Sequence, residues 1–370
     1  MHATPDRTAR RRLHPLVLAA CLAAAALPAA AQPADREKKE AAAEQQLQQL
    51  RQQIKAITAE QRKLDAQSRQ QQAEKLRPLR RELEQAGFTF RTSGDTEVIL
   101  AAWQRWGPDC LKRLDGMFAF AIFDLAKRQL FLARDRFGVK PLFMAHLSDG
   151  SLAFASELKG LLAHPQLRRR VNPQAIEAYM AWGYVPDTHS MLAGVEKLPA
   201  GHFWLLEQGR APGRPQRWWD IDFSAREKGS EADLSAQLVH LLREGVRSRM
   251  VADVPLGAFL SGGVDSSGVV ALMAEASAAP VQTCSIGFDV AAYDETSYAR
   301  QVAAKFGADH QERIVATDDF SAIDQLAAMF DEPFADASAL PTWRVCQLAR
   351  ERVTVALSGD GADEAFGGYR

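Results

Sequence analysis

Val254-Pro-Leu-Gly-Ala-Phe-Leu260 runs directly into Ser261-Gly-Gly-Val-Asp-Ser-Ser267. The first seven residues read as a buried strand, and Gly268 to Ser277 reads as the helix beyond the loop. Strand, glycine loop and helix in this order make an anion site. Gly262 and Gly263 let the backbone approach closely, and the helix N-terminus offers unpaired N–H groups. Ser261, Ser266 and Ser267 add hydroxyl donors, while Asp265 would repel phosphate unless a divalent cation such as Mg²⁺ lay between. A Walker A loop needs Gly-Lys followed by Ser or Thr, and this loop has no Lys. Kinases and GTPases of that type are therefore disfavoured.

A second strand-and-loop unit lies just under a hundred residues on. Val353-Thr-Val-Ala-Leu357 is a β-branched run that ends in Ser358-Gly-Asp-Gly-Ala-Asp-Glu364. In an open parallel sheet, ligands sit at the carboxyl ends of strands, and both loops occupy that place. Val281 to Phe288 reads as another strand of the sheet, Asp294 to Phe306 as a helix and Glu231 to Met250 as an amphipathic helix.

SGGVDSS resembles the signature of the N-type ATP pyrophosphatases, and SGDGADE is similar to the corresponding motif of asparagine synthetases. The resemblance implies a doubly wound α/β domain over 231–370 that binds ATP. Its nucleotide contacts would be Leu260, Ser261, Gly262, Gly263, Asp265, Ser266, Ser267, Ile286, Ser358 and Gly359. It further implies that Asp360 assists formation of an acyl-adenylate, and that Asp265 and Asp363 hold Mg²⁺–pyrophosphate. Asp-His-Gln-Glu (309–312) departs from the family's His-His-Glu at Gln311, which leaves His310 open between a structural and a functional role. DEPFADASALPT (331–342) resembles the family's acceptor-side loop, without a role for any single residue.

Upstream, Phe118 to Phe123, Gln129 to Ala133, Leu142 to Ala145 and Leu152 to Ser156 read as four short strands of an antiparallel meander. SGDTEVILAAW (93–103), GMFAFAIFD (116–124), RDRFGVKPLF (134–143) and FASELKGLL (154–162) look like the glutaminase domain of glutamine-using asparagine synthetases. That domain is an Ntn-type class II amidotransferase with αββα layers, expected here in partial form over 80–220. By this resemblance Asp95 binds the α-ammonium group of glutamine; the alternative is an ordinary cap on the helix Thr96 to Trp106. The family's nucleophile is a cysteine at the mature N-terminus, whose own amine is the base. Cys110 reads as a packed thiol, so no glutamine hydrolysis is expected. Trp218-Trp219-Asp220 matches a segment closing this region, and its aromatic pair reads as core packing.

The front of the chain has another character. Up to Leu79 it contains no Phe, Trp, Tyr or Gly. Arg7, Arg10, Arg11 and Arg12, the apolar run Leu16 to Ala31 and the closing Ala29-Ala30-Ala31 follow the layout of a secretory signal peptide over 1–31. The alternative is a buried Ala/Leu helix. Leu47, Leu50, Ile54, Ile57 and Leu64 give a heptad seam, hence a coiled-coil helix over 35–78.

The 370 residues carry 45 Lys+Arg and 46 Asp+Glu, a net charge of -1 that gives no field for gripping nucleic acid or an anionic membrane. Four scattered Cys, with no CxxC, indicate neither a zinc site nor a disulfide framework. The expectation is thus a piece of an asparagine synthetase-like ligase, with the family's further helices and a reactive-centre Lys lying past Arg370. Its substrates would be ATP, aspartate, and glutamine or ammonia. No membrane span is expected after signal cleavage, and the family's habit of pairing through its glutaminase domain leaves a homodimer open. Two other readings stand beside it: an amidotransferase of the same architecture on another carboxylate, and a non-catalytic exported coiled-coil fusion. ATP chemistry belongs in the cytoplasm while the signal points to export, so the sequence predicts a fusion or assembly junction behind the coil.

Overall fold

Alternation along single strands builds the first half of the molecule. In β2 (Gln129–Arg134), Phe131 and Ala133 turn to one face and Leu130 and Leu132 to the other. In β6 (His202–Glu207), Phe203 and Leu205 share the first face, and Trp204 and Leu206 the second. A strand with apolar residues on both faces must be covered on both. The first face packs against a helix over residues 78–85, α1, and against α2 (Asp95–Trp106) and the 3₁₀ turn Gly107–Arg113. There Trp103 stacks on Phe131 with ring centroids 4.3 Å apart.

The second face packs on another sheet. β3 (Phe143–His146) pairs antiparallel with β4 (Leu152–Ala155) and with β5 (Val195–Lys197). Met144 faces inward to Leu132 and Trp204, while Phe143 and Ala145 face outward to Leu158 and Leu161 of the short helix α3 (Leu158–Leu162). The layers therefore run helix, sheet, sheet, helix. The four predicted strands do not form one meander. β1 (Ala119–Asp124) and β2 join β6 and β7 (Gln216–Arg217) in one sheet, and β3 and β4 lie in the other. The reason is the turn Arg134–Lys140, which Asp135 ties down. Its carboxylate accepts from the backbone N–H groups of Phe118, Phe137, Val139 and Lys140, at 3.0–3.1 Å.

The computed structural model describes residues 78–368, except 93, 253, 291–293 and 317–321, all within one compact unit, Ser68–Arg370. The expected signal peptide and nearly all of the expected coil lie outside the described residues. No described helix is long and apolar enough to cross a membrane.

After α4 (Pro173–Trp182) and the strands above, the chain enters α5 (Glu231–Arg249), capped by Ser230 and Asp233 in a reciprocal capping box. The parallel sheet follows in the order β10–β9–β8–β11, from β8 (Leu256–Phe259), β9 (Gln282–Phe288), β10 (Asp309–Val315) and β11 (Val355–Leu357). α6 (Val264–Ala276) and α7 (Thr296–Phe306) cover one face through Val270, Met273, Ala299 and Ala303. α9 (Ala339–Ala349), which follows the short α8 (Ile323–Met329), covers the other through Leu348 and Ala349 against Cys284 and Val353. Helices on both faces make the sheet doubly wound, and the winding reverses between β8 and β11.

Candidate active site

α6 starts at Val264, four residues earlier than the sequence predicts, because Gly263 in extended conformation serves as its N-cap. The Val264-Asp-Ser-Ser267 part of the motif is therefore the first turn of a helix. Its leading N–H groups have no intrahelical partner. Asp265 sits in that turn, where the helix dipole favours a carboxylate. Gly262 has φ +90°, and a Cβ there would lie 2.5 Å from Tyr298 Cβ and 2.7 Å from Ala299 N. Only glycine lets α7 pack so closely on the loop.

Two of the serines hold the loop closed. Ser261 and Ser266 hydroxyls bond each other at 2.9 Å, Gly263 N–H donates to Ser261 Oγ, and Ser266 Oγ donates to Gly263 O. These bonds close the loop, so its donors toward an anion are chiefly backbone N–H groups. Ser267 Oγ is buried and has no hydrogen-bond partner.

The second loop follows β11. Ser358 Oγ accepts from Asp360 N–H at 3.0 Å, and Ala362 N–H donates to Gly359 O at 3.3 Å. α10 (Ala362–Phe366) begins here, with Asp363 in its first turn behind Gly361 at φ +96°. Asp360 is exposed, and Asp363 is half-buried. The two loops touch. A Cβ on Gly359 would lie 2.8 Å from Ser266 N and 3.0 Å from Asp265 Cβ.

Register sets the remaining members. Leu357 pairs with Ala258, so Gly359 stands level with Leu260. Leu260 N–H bonds Cys284 O, and Ile286, half-buried in β9, lies two residues further along. Leu260, Ser261, Ile286, Ser358 and Gly359 therefore gather at one edge of the sheet, at its switch point. Asp95 is not brought to that edge. It is the exposed first residue of α2, with Gly94 as N-cap, so it is not the cap the sequence allowed. Glu97 holds the segment before it, accepting Arg91 N–H at 2.9 Å and Thr92 N–H at 2.8 Å. The Arg91 N–H bond, with those from Thr92, holds the Glu97 carboxyl below the usual range.

His310 is engaged within the sheet. Its Nδ1 lies 3.0 Å from Thr283 Oγ1 and its Nε2 3.3 Å from Ser285 Oγ, both on the adjacent strand. Burial lowers its pKa. Cys110 is fully buried, and burial pushes its thiol up to about 12. Trp218 packs 6.2 Å from Phe118, and Trp219 5.0 Å from Phe137, as packing groups rather than a cage.

A cavity of about 940 Å³ opens at the carboxyl ends of β9 and β10, beside the 331–341 segment. Phe288, Phe330, Phe334 and Leu340 give it apolar walls, and Tyr179 of α4 reaches it from the first half. Sequence reasoning missed Asp331 and Glu332 as individuals. Their carboxylates pair with Lys159 at 2.9 Å and Lys197 at 2.5 Å, across more than 130 residues. No local pattern marks such a pair.

Residues 75–219 match the glutamine amidotransferase domain, and residues 237–370 match asparagine synthase. A putative glutamine-hydrolysing asparagine synthetase 2 of Methanocaldococcus jannaschii is 40% identical over 290 residues, which is 77% of this chain and 56% of that protein. A putative asparagine synthetase of Mycobacterium tuberculosis is 38% identical over 291 residues, 77% of this chain and 44% of its own length. Asparagine synthetase 1 of Bacillus subtilis is 35% identical over 300 residues, 79% of this chain and 45% of that protein. The chain thus spans about half the length of the curated relatives it matches. Two domain matches in the order the fold presents them, backed by these relatives, place the chain in the glutamine-hydrolysing asparagine synthetase family.

Proposed function

We propose that the loops after β8 and β11 bind ATP and that the chain carries the adenylating part of asparagine synthesis. One observation carries the reading. Two glycine-bearing acidic loops meet in backbone contact at the switch point of a doubly wound sheet, where Gly359 leaves no room for a side chain against Asp265 and Ser266. Residues 231–370 would be the ATP domain and 80–220 the amidotransferase domain.

In this scheme the first-turn N–H groups of α6 take the phosphates, with Leu260, Ile286, Ser358 and Gly359 against the nucleoside. A side-chain carboxylate oxygen of aspartate attacks the α-phosphorus, and the bond to the β-phosphate breaks, releasing pyrophosphate. Asp360 faces this exchange from the second loop. Ammonia then attacks the acyl carbon, and AMP leaves. The 331–342 segment would border the acceptor side, and Asp95 would receive the ammonium group of glutamine.

Asp265 and Asp363 suit a hard cation such as Mg²⁺: each is a carboxylate in the first turn behind its loop. Among the described residues no group of three or more His, Cys, Asp or Glu can hold a metal by itself. The ion would therefore be shared with the phosphates, and when bound it would neutralise the departing pyrophosphate.

The test is exchange of labelled pyrophosphate into ATP by the purified chain, with Mg²⁺ present. Exchange that depends on added aspartate is expected. A folded sample that binds ATP yet exchanges nothing in any concentration of aspartate would sink the reading. Glutamine and free ammonia, added in turn once the acyl-adenylate has formed, compare the two nitrogen sources; Cys110, buried with its thiol pushed up to about 12, is not the group that would attack glutamine.

A further inference from the structure

The cavity beside the 331–341 segment is walled from both halves of the fold, and its shape depends on contacts between them. Glu332 has both oxygens engaged by the first half. Oε1 accepts from Met191 N–H at 2.7 Å, and Oε2 pairs with Lys197 Nζ at 2.5 Å. The side chains of Lys197 and Glu332 are only 9% and 12% exposed. Lys197 also donates to Val185 O at 3.1 Å and comes from β5, at the edge of the inner sheet.

Neighbouring contacts point the same way. Asp331 accepts from Leu158 N–H at 2.6 Å, and Ala335 N–H donates to Gly183 O at 2.7 Å. Phe330 and Phe334, which line the cavity, sit on this tethered stretch with rings 5.0 Å apart. The Lys159–Asp331 pair is the more exposed of the two, with Lys159 at 45%. Removing one partner of a nearly buried pair leaves the other charge uncompensated, a larger disturbance than the same change in an exposed pair.

We infer that Lys197 is a positioning residue, which fixes the 331–335 segment, and with it one wall of the cavity, from the opposite half of the molecule. The inference rests on the proposed reading of that cavity as the acceptor side. Without its ammonium, Glu332 is a nearly buried carboxylate held by one N–H. Its freed oxygen is then drawn toward the cavity that Glu332 already lines, and this alters the site where the acceptor carboxylate approaches. The nucleotide loops after β8 and β11 belong to other strands, so ATP binding stays as it is.

Lys197→Met and Lys197→Arg in the full chain test this. In Lys197→Met, hydrogen exchange of the amides over 331–337 is expected to rise about tenfold, with 256–267 unchanged. In the pyrophosphate exchange assay, the KM for aspartate is expected to rise about tenfold while the KM for ATP holds. Lys197→Arg, which keeps the cation, restores both. Amide protection equal to the parent chain overturns the inference, as does a parallel rise in both KM values. If Lys197→Met does not fold, Glu332→Gln keeps the acceptor for Met191 and removes the charge; a smaller loosening with the same KM split is expected, and no loosening overturns the inference. If the parent chain itself shows no aspartate-dependent exchange, the reaction assigned above falls, and the amide protection still decides the role of Lys197.

Discussion

Gly359 rests against Asp265: a Cβ added to Gly359 would meet Asp265 Cβ at 3.0 Å and Ser266 N at 2.8 Å. Two loops that start 97 positions apart are thereby brought into backbone contact, on the two strands where the winding of the sheet reverses. Between them they carry first-turn N–H groups and the carboxylates of Asp265, Asp360 and Asp363. Neither strand alone would do so.

Gly359→Ala tests whether that contact matters. The new methyl group meets backbone of α6, which cannot rotate away. Crowding of this kind costs about 1–3 kcal/mol. We expect a modest loss of stability in urea and, by calorimetry, at least about a tenfold weaker ATP affinity, because the loops must part. Unchanged affinity in a folded variant would show that nucleotide does not use the junction.

Asp265→Asn separates charge from shape. A carboxylate beside a triphosphate repels it unless a cation lies between, by about 1–4 kcal/mol at 4 Å in a solvent-exposed setting. The variant is therefore expected to bind ATP more tightly than the parent when Mg²⁺ is chelated, and to gain less when Mg²⁺ is restored. The same ratio of affinities with and without Mg²⁺ in both proteins would remove Asp265 from the metal site.

Both loops were legible because their residue types are forced by backbone geometry. Gly262 and Gly359 stand where no side chain fits, and the strands before them are apolar runs. β10 was not read from the sequence; the four upstream strands were, within one to two residues. Their division into two sheets was not. It depends on Asp135, whose four backbone acceptances turn the chain away from β2, and an aspartate in a loop looks the same whether it binds water or holds a turn. The start of α6 was set too late because the glycine and serines of the motif have weak helix propensity, which tertiary packing overrode. Lys197 and Glu332 gave no signal at all, being single charges in unrelated segments.

Phe131 should carry much of the first half's stability. It is fully buried in β2, stacked on Trp103 at 4.3 Å and 5.5 Å from Phe203. Phe131→Ala leaves a cavity between α2 and the sheet, and about 3–5 kcal/mol of stability is expected to go. Denaturant titration followed by tryptophan fluorescence measures it. A loss near that of a surface substitution would show that the aromatic cluster is not closely packed.

His310 gives stability a pH dependence whose sign is fixed by its surroundings. Burial is the main cause of its lowered pKa, offset in part by Glu312 and added to by Arg300. Thr296, Ser285 and Thr283 are the uncharged polar groups around it and its neighbours, through Arg300 and the ring nitrogens. The unfolded chain takes up a proton near the ordinary value of 6.5, whereas the folded chain does so only at lower pH. Below 6.5 the unfolded state therefore binds more protons, and stability falls as the solution is acidified. His310→Gln keeps a hydrogen-bonding side chain and cannot titrate. The variant is expected to lose less stability than the parent between pH 7.5 and 5.5, measured by thermal unfolding at each pH. An equal or larger loss in the variant would place the acid sensitivity in other groups.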